Sequence, residues 1–183
     1  MEAVWVAGCS GYEITGVIHL LKGCGVSVRL FRPGERLRAG DTLILCFSSA
    51  PLLGWWRYLK ITQWVAYRYD IRLIVLCPDE VCRTDVVCGR NIMTVNGERS
   101  CIHLSLSLQQ TVQRCLPDGM PESQWDCVKS FLERASQTLR IFPVRESEDS
   151  AIRRAYQKRD LMVQRLGFVS LMRLKVFMAG HLP

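Results

Sequence analysis

The 183-residue sequence has no apolar run of the roughly 18–20 residues that a membrane span needs. Its longest candidates, Asp41 to Phe47 and Ile71 to Cys77, are strand-sized. A helical span is therefore excluded, and no membrane partner is expected. No pair of cysteines has C-x-x-C spacing, and the three histidines, His19, His103 and His181, stand apart. Cys77, Cys82 and Cys88 are the densest group of thiols, but their spacing matches no common zinc module. The nine cysteines are odd in number and spread along the chain. Cys46, Cys77 and Cys127 sit in apolar surroundings, where a free thiol behaves as a small hydrophobe. These features read as a reducing cytoplasm without a disulfide framework, and no metal or cofactor is expected. Val6-Ala7-Gly8-Cys9 has the form of a lipoprotein cleavage box. Yet only eight residues precede Cys9, Glu2 is acidic, and there is no basic leader. A signal peptide needs about 15–30 residues with a charged start, so this stretch reads as a strand and a turn. Internal repeats and low-complexity tracts are also lacking.

What is present is a globular composition, 49% hydrophobic and 22% charged. The net charge of +7 is unevenly placed. Residues 1–118 carry 13 Lys/Arg against 10 Asp/Glu, whereas residues 150–183 carry seven Lys/Arg against Asp160 alone. Charge loaded on one end points to a polyanionic partner, because each neutralised phosphate releases counterions. The alternative from charge alone is a solvated basic helix face.

Residues 3–7 read as a buried strand ended by Gly8-Cys9-Ser10-Gly11. Residues 12–22 switch to helical spacing, with Ile14, Val17, Ile18 and Leu21 on one face. Val26 to Phe31, Asp41 to Phe47, Ile71 to Leu76 and Asn91 to Val95 read as further strands. Pro51 to Tyr69 and Leu104 to Leu116 read as helices. Alternating strand and helix makes a parallel sheet with helices on both faces. Leu116 to Pro121 is rich in turn formers and divides the chain. The expected organisation is an α/β domain over 1–116, a linker over 117–122 and an all-α domain over 123–183. In that last part the period is only helical: Ser123 to Arg134, Ser136 to Phe142 (stopped by Pro143), a basic Ser147 to Leu166 ended by Gly167, and Ser170 to Ala179.

Arg165-Leu166-Gly167-Phe168, followed by Ser170-Leu171-Met172-Arg173-Leu174 and Phe177, resembles the end of a LuxR/NarL-type helix-turn-helix. Trp125 to Leu132, Ser136 to Ile141 and Ser147 then fall on that family's first helix, second helix and recognition-helix cap. The chain departs from the family in lacking its Leu-Thr-x-x-Glu opening. It also lacks the glycine of the first turn, where Arg134-Ala135 stand. The resemblance implies double-stranded DNA as partner. Ile152, Ala155, Arg159 (by its stem), Met162 and Leu166 would face inward. Arg153, Arg154, Gln157, Lys158, Leu161 and Gln164 would face the major groove, where Arg and Gln read base edges and Lys grips phosphate.

The first part resembles a response-regulator receiver, a flavodoxin-like fold. Asp41-Thr42-Leu43-Ile44-Leu45-Cys46 has the form of the receiver's third strand, with Cys46 where the phosphorylated Asp would stand. The receiver's acidic pair would fall near Ala7-Gly8-Cys9, its Ser/Thr position is matched by Cys77, and no Lys follows the fifth strand. Without carboxylates a hard Mg²⁺ ion has no oxygen ligands. The resemblance thus implies a degenerate receiver, similar to those of enterobacterial auxiliary regulators. Such proteins regulate transcription independently of phosphorylation, as homodimers or with a related regulator.

Two other readings stand beside this one. Gly8 and Gly11 after a first strand could form a dinucleotide turn, but the fingerprint's third glycine would fall at Ile14 and Arg32 stands where an acid should end the second strand. That would make the chain a small nucleotide-binding protein or enzyme, whereas the regulator reading implies no enzyme activity. The helix carrying Trp55, Trp56, Tyr58, Trp64, Tyr67 and Tyr69 has too many aromatics to turn all of them inward. Core packing and a partner surface are both open for these rings, with Trp55, Trp56 and Tyr58 the candidates for a protein interface; a chain that binds a partner regulator without touching DNA is the other alternative.

Overall fold

The computed structural model describes residues 3–32, 34–84, 86, 87, 89, 91–113, 124–141 and 149–181, with the backbone alone at 124–126 and 149. Five strands, β1 (Val4–Gly8), β2 (Val28–Leu30), β3 (Thr42–Cys46), β4 (Arg72–Cys77) and β5 (Ile92–Asn96), form one parallel sheet in the order β2-β1-β3-β4-β5. That is the strand order of flavodoxin-like, receiver-like sheets. The helices are α1 (Gly11–Gly23), α2 (Trp56–Arg68), α3 (Asp79–Cys82), α4 (Cys101–Gln113), α5 (Gln124–Leu139), α6 (Asp149–Arg165) and α7 (Leu171–Phe177). Among the described residues no helix is long and apolar enough to cross a membrane.

The central strands explain the layering. β3 reads Thr-Leu-Ile-Leu-Cys and every one of its side chains is buried. β4 is buried from Leu73 to Cys77. Strands apolar on both faces need a layer on each side. On one side Val6, Ile44, Cys46, Ile74 and Leu76 meet Val17 and Leu21 of α1 and Leu104 and Leu108 of α4. On the other, Leu43, Leu45, Leu73 and Val75 meet Trp55, Leu59 and Val65. The same cluster continues through Val128 and Phe131 of α5, Leu166, and Leu174 and Phe177 of α7.

This second layer has a gap that the C-terminal helices fill. No helix is formed among the described residues between β2 and β3, and α3 is a single turn. Right-handed crossovers moving from β2 toward β5 all place their helices on one face. That face is therefore short of cover, and α5 and α7 pack there beside α2. The expected linker, 117–122, lies outside the described residues; on either side of it the chain contributes to one apolar cluster.

Several boundaries differ from the sequence reading. Residues 51–55 form turns, not the start of a helix, because Gly54 takes a left-handed conformation (φ 68°). The one-turn α3 has no counterpart in the periodicity. Most consequentially, the two helices expected at Ser123–Arg134 and Ser136–Phe142 are one continuous α5. Neither Arg134 nor Ala135 breaks a helix. Ala135 is fully buried, and the Thr138 hydroxyl bonds back to the Arg134 carbonyl at 2.8 Å. Cys127, expected in the core, is exposed, while Cys46 and Cys77 are buried as expected.

Asp41 joins β1 to β3 from below. Its carboxylate accepts from Ala3 N at 3.0 Å, Trp5 Nε1 at 3.2 Å and Arg38 N at 2.9 Å. Burial raises its pKa, but the hydrogen bonds from Arg38, Ala3 and Trp5, with the Arg38 charge, outweigh burial and hold it below the ordinary 3.8. A lowered folded pKa stabilises above the unfolded value and is lost as pH falls through the folded one. Asp41→Asn, whose amide would turn a donor toward donors, is expected to cost about 2 kcal/mol at neutral pH in urea unfolding. The gap from the parent should close as the pH is taken below 3.8. Phe177 is fully buried and its ring lies 6.2 Å from Trp55, 5.9 Å from Phe131 and 5.2 Å from Phe168. Phe177→Ala is expected to cost about 3–5 kcal/mol. Because the core is shared, sheet and C-terminal helices should still unfold in one transition, read by tryptophan fluorescence and far-UV circular dichroism together.

Candidate nucleic-acid interface

α6 carries five Lys/Arg against two Asp over 17 residues. All six residues expected to face outward, Arg153, Arg154, Gln157, Lys158, Leu161 and Gln164, are exposed. Arg153, Gln157, Leu161 and Gln164 recur at helical spacing, so they form one stripe, with Arg154 and Lys158 beside it. Leu161 is 55% exposed, an apolar side chain held in water within a basic stripe. The Arg154 guanidinium turns back along the helix, with Nε 3.2 Å from the Ser150 carbonyl. On the opposite side Ile152, Ala155, Arg159 and Met162 are half-buried, and Leu166 is buried. Val163, absent from the expected inward set, is buried as well. The Arg159 guanidinium lies 4.8 Å from the centroid of the Tyr156 ring, which covers its charge with a π face.

The end of α6 is fixed by its turn. Gly167 N donates to Gln164 O at 2.9 Å, and Phe168 N to Val163 O at 3.2 Å. This is a Schellman closure, with Val163 and Phe168 as its buried apolar pair. Gly167 is left-handed (φ 84°), and a Cβ there would sit 2.8 Å from the Arg83 carbonyl oxygen. The turn therefore needs glycine for conformation and for its contact with the sheet-side loop.

Trp55, Trp56 and Tyr58, the expected interface, are not a free surface. Trp55 is 0% exposed and stacks on Phe177. Trp56 is buried, its Nε1 2.9 Å from the Ala179 carbonyl and its ring 4.7 Å from His181. Tyr58 is half-buried against Phe47 at 4.6 Å. The partner these residues were expected to meet is the chain's own C-terminus, because α7 needs an apolar seat. The aromatic rings that α2 does leave in water are Trp64, 56% exposed, and Tyr67, 77% exposed.

The C-terminal ends of the strands form a second region of interest. Gly8, Cys46 and Leu76 lie level across β1, β3 and β4. No carboxylate stands on β1 or β3 there. Cys46 is fully buried, and burial first, then nearby Glu13 and Cys9, push its thiol well up, so it stays neutral. A Cβ on Gly8 would lie 2.5 Å from the Cys46 carbonyl oxygen, so strand packing alone accounts for that glycine; at Gly11 a Cβ would meet nothing within 4 Å.

The carboxylate at this edge comes from Glu13, which the sequence reading passed over. Glu13 accepts from Ser48 N at 3.0 Å, from the Ser48 hydroxyl, from Ser49 N at 3.1 Å and from the Ser49 hydroxyl at 2.5 Å. Ser10-x-x-Glu13 spells a capping box, and the Ser10 hydroxyl does accept from Glu13 N. The Glu13 side chain, however, reaches across to the loop after β3. A cavity of about 560 Å³ opens beyond it, lined by Ser48, Ser49, Asp79, Glu80, Glu98 and Arg173 among others. Arg173 of α7 pairs with Glu80 of α3 at 2.8 Å, so the C-terminal helices reach the rim of this crevice. Among the described residues no cluster of His, Cys, Asp and Glu could hold a metal ion.

No family model matches the chain, and no curated protein matches it. Two solved structures are similar to it. One is the regulatory domain of the master biofilm regulator CsgD, at 16% identity and a TM-score of 0.46, covering 62% of this chain and 88% of that one. The other is the response regulator StyR, at 17% identity and a TM-score of 0.33, covering 94% of this chain and 96% of that one.

Gly167→Ala is expected to destabilise by about 2 kcal/mol, from the left-handed backbone and the crowding at Arg83. Thermal unfolding would read it. An unchanged midpoint would mean that the turn does not pack on the sheet-side loop.

Proposed function

We propose that the chain is a transcription regulator whose α6 binds double-stranded DNA in the major groove and whose receiver-like part works without phosphorylation. The exposed stripe of α6 carries the reading. It sets Arg153, Arg154 and Lys158 beside Gln157 and Gln164 in water, so cations for phosphate and amides for base edges share one face. Neutral Cys46 at the end of β3, with Gly8 and Cys9 beside it, supports the second half, since a phosphoryl-accepting carboxylate has no counterpart at these strand ends. A DNA-reading helix of about 25 Å spans a few base pairs, so a specific site calls for two copies, in a homodimer or with a related regulator.

The helix-turn-helix itself takes a modified form in this reading. α5 is its support, α6 its reader and α7 the helix that follows, with α5 unbroken where the resemblance expects a turn.

The test is selection from a random-sequence DNA library at several salt concentrations, with Arg153→Ala/Arg154→Ala/Lys158→Ala alongside. One enriched motif is expected, with affinity falling as salt rises. The variant should lose the motif, and its log–log salt slope should flatten by about 0.9 for each phosphate contact removed. Binding without sequence preference, or binding unchanged in the variant, would remove α6 from the reading.

A further inference from the structure

The thiols of Cys77 and Cys82 lie 3.1 Å apart, closer than sulfurs in simple contact. Cys77 ends β4 and is fully buried. Cys82 ends the one-turn α3 and is half-buried, packed against the core. Four residues lie between them, and the Cys82 thiol also points at the Cys77 carbonyl, 3.7 Å away. A disulfide needs the sulfurs at about 2.05 Å, so closure asks for about one ångström of movement. The mobile partner is a single helical turn, held to the sheet by Asp79 N on Glu98 and by Asn96 Nδ2 on Asp79.

We infer that Cys77 and Cys82 form a peroxide-responsive dithiol, with Cys82 as the attacking sulfur and Cys77 as the resolving one. Exposure assigns the roles: Cys77 is fully buried and Cys82 only half-buried, so a peroxide reaches Cys82 first. The hydrogen bond between the two thiols lowers the Cys82 pKa against the effect of burial, and the Arg99 charge adds to it while Glu98 opposes it. Cys77 is held protonated by that same bond and by burial. The thiolate is the nucleophile, so Cys82 reacts first. Its sulfur attacks one oxygen of a hydroperoxide and the O–O bond breaks. The leaving oxygen takes a proton and departs as alcohol or water, and Cys82 becomes a sulfenic acid. The Cys77 sulfur then attacks the Cys82 sulfur, the S–O bond breaks, and the Cys77 proton leaves with the hydroxide as water. The two thiols supply the two electrons that reduce the peroxide. A cellular dithiol reverses the bond by exchange.

The position gives the site a consequence. Glu80 sits on α3 between the strand and Cys82 and holds Arg173 of α7. Thr84 and Arg83, just beyond Cys82, form the seat of Gly167. Drawing Cys82 toward β4 therefore acts on the two contacts that tie the turn after α6 to the sheet.

The experiment treats the full chain with a stoichiometric amount of hydrogen peroxide, then blocks thiols and digests with trypsin. Cys77 and Cys82 fall in one tryptic peptide, Leu73 to Arg83. That peptide should become lighter by two hydrogens and return to its original mass with dithiothreitol. It should do so before the exposed Cys9, Cys101 and Cys127 are consumed. In Cys77→Ala the sulfenic acid should persist on Cys82 and be trapped by dimedone. Cys82→Ser should leave Cys77 unmodified. Oxidation of Cys9, Cys101 or Cys127 ahead of this peptide, or dimedone trapping on residues other than Cys82, would overturn the assignment.

Discussion

β3 and β4 are apolar on both faces, so the sheet has no side it can leave in water. One side is closed by α1 and α4, as a doubly wound topology provides. The other side has α2, a one-turn α3 and a β2-to-β3 connection without a helix among its described residues. The apolar faces of α5 and α7 complete that layer, and Phe177 against Trp55 is its centre. The C-terminal helices are held by the hydrophobic effect acting on a sheet that would otherwise expose Leu43, Leu45, Leu73 and Val75.

That shared core arranges the rest of the molecule. With α5 and α7 turned to the sheet, the C-terminal end of α6 joins the shared core through Val163, followed by Leu166. Along its first three turns Ile152, Ala155 and Arg159 are half-buried while the basic stripe stays uncovered. The same packing brings the turn after α6 onto Arg83 and Thr84, and Arg173 onto Glu80. The crevice at the strand ends and the base of the basic helix are thus neighbours. The contacts that join them are the seat of Gly167 on Arg83 and Thr84 and the pair of Arg173 in α7 with Glu80 in α3.

At the strand ends the polar groups and the Cys46 thiol are taken up by structural contacts. Glu13 is engaged by four donors of the loop after β3, and Cys46 is sealed in the core. Gly8 is there because the backbone of β3 comes too close for any side chain. At the neighbouring strand end the thiols of Cys77 and Cys82 lie 3.1 Å apart.

Local patterns carried much of this into the sequence. The alternation of strand and helix, the inward set of Val17 and Leu21, and the outward stripe of α6 all follow from periods of two and 3.6, which a single element expresses alone. What periodicity could not decide were contacts between elements distant in the chain. Whether α5 breaks at Arg134-Ala135 depended on Ala135 finding the core. Whether Trp55 and Trp56 face a partner or the interior depended on α7, more than 100 residues on. The bonds of Glu13 had no local signal because the Ser48 and Ser49 donors belong to the loop after β3. The sequence by itself determined which surfaces are apolar, which are basic and how each element repeats. Only the tertiary structure decided which apolar surface covers which, because burial is a property of pairs of faces and no face contains its partner.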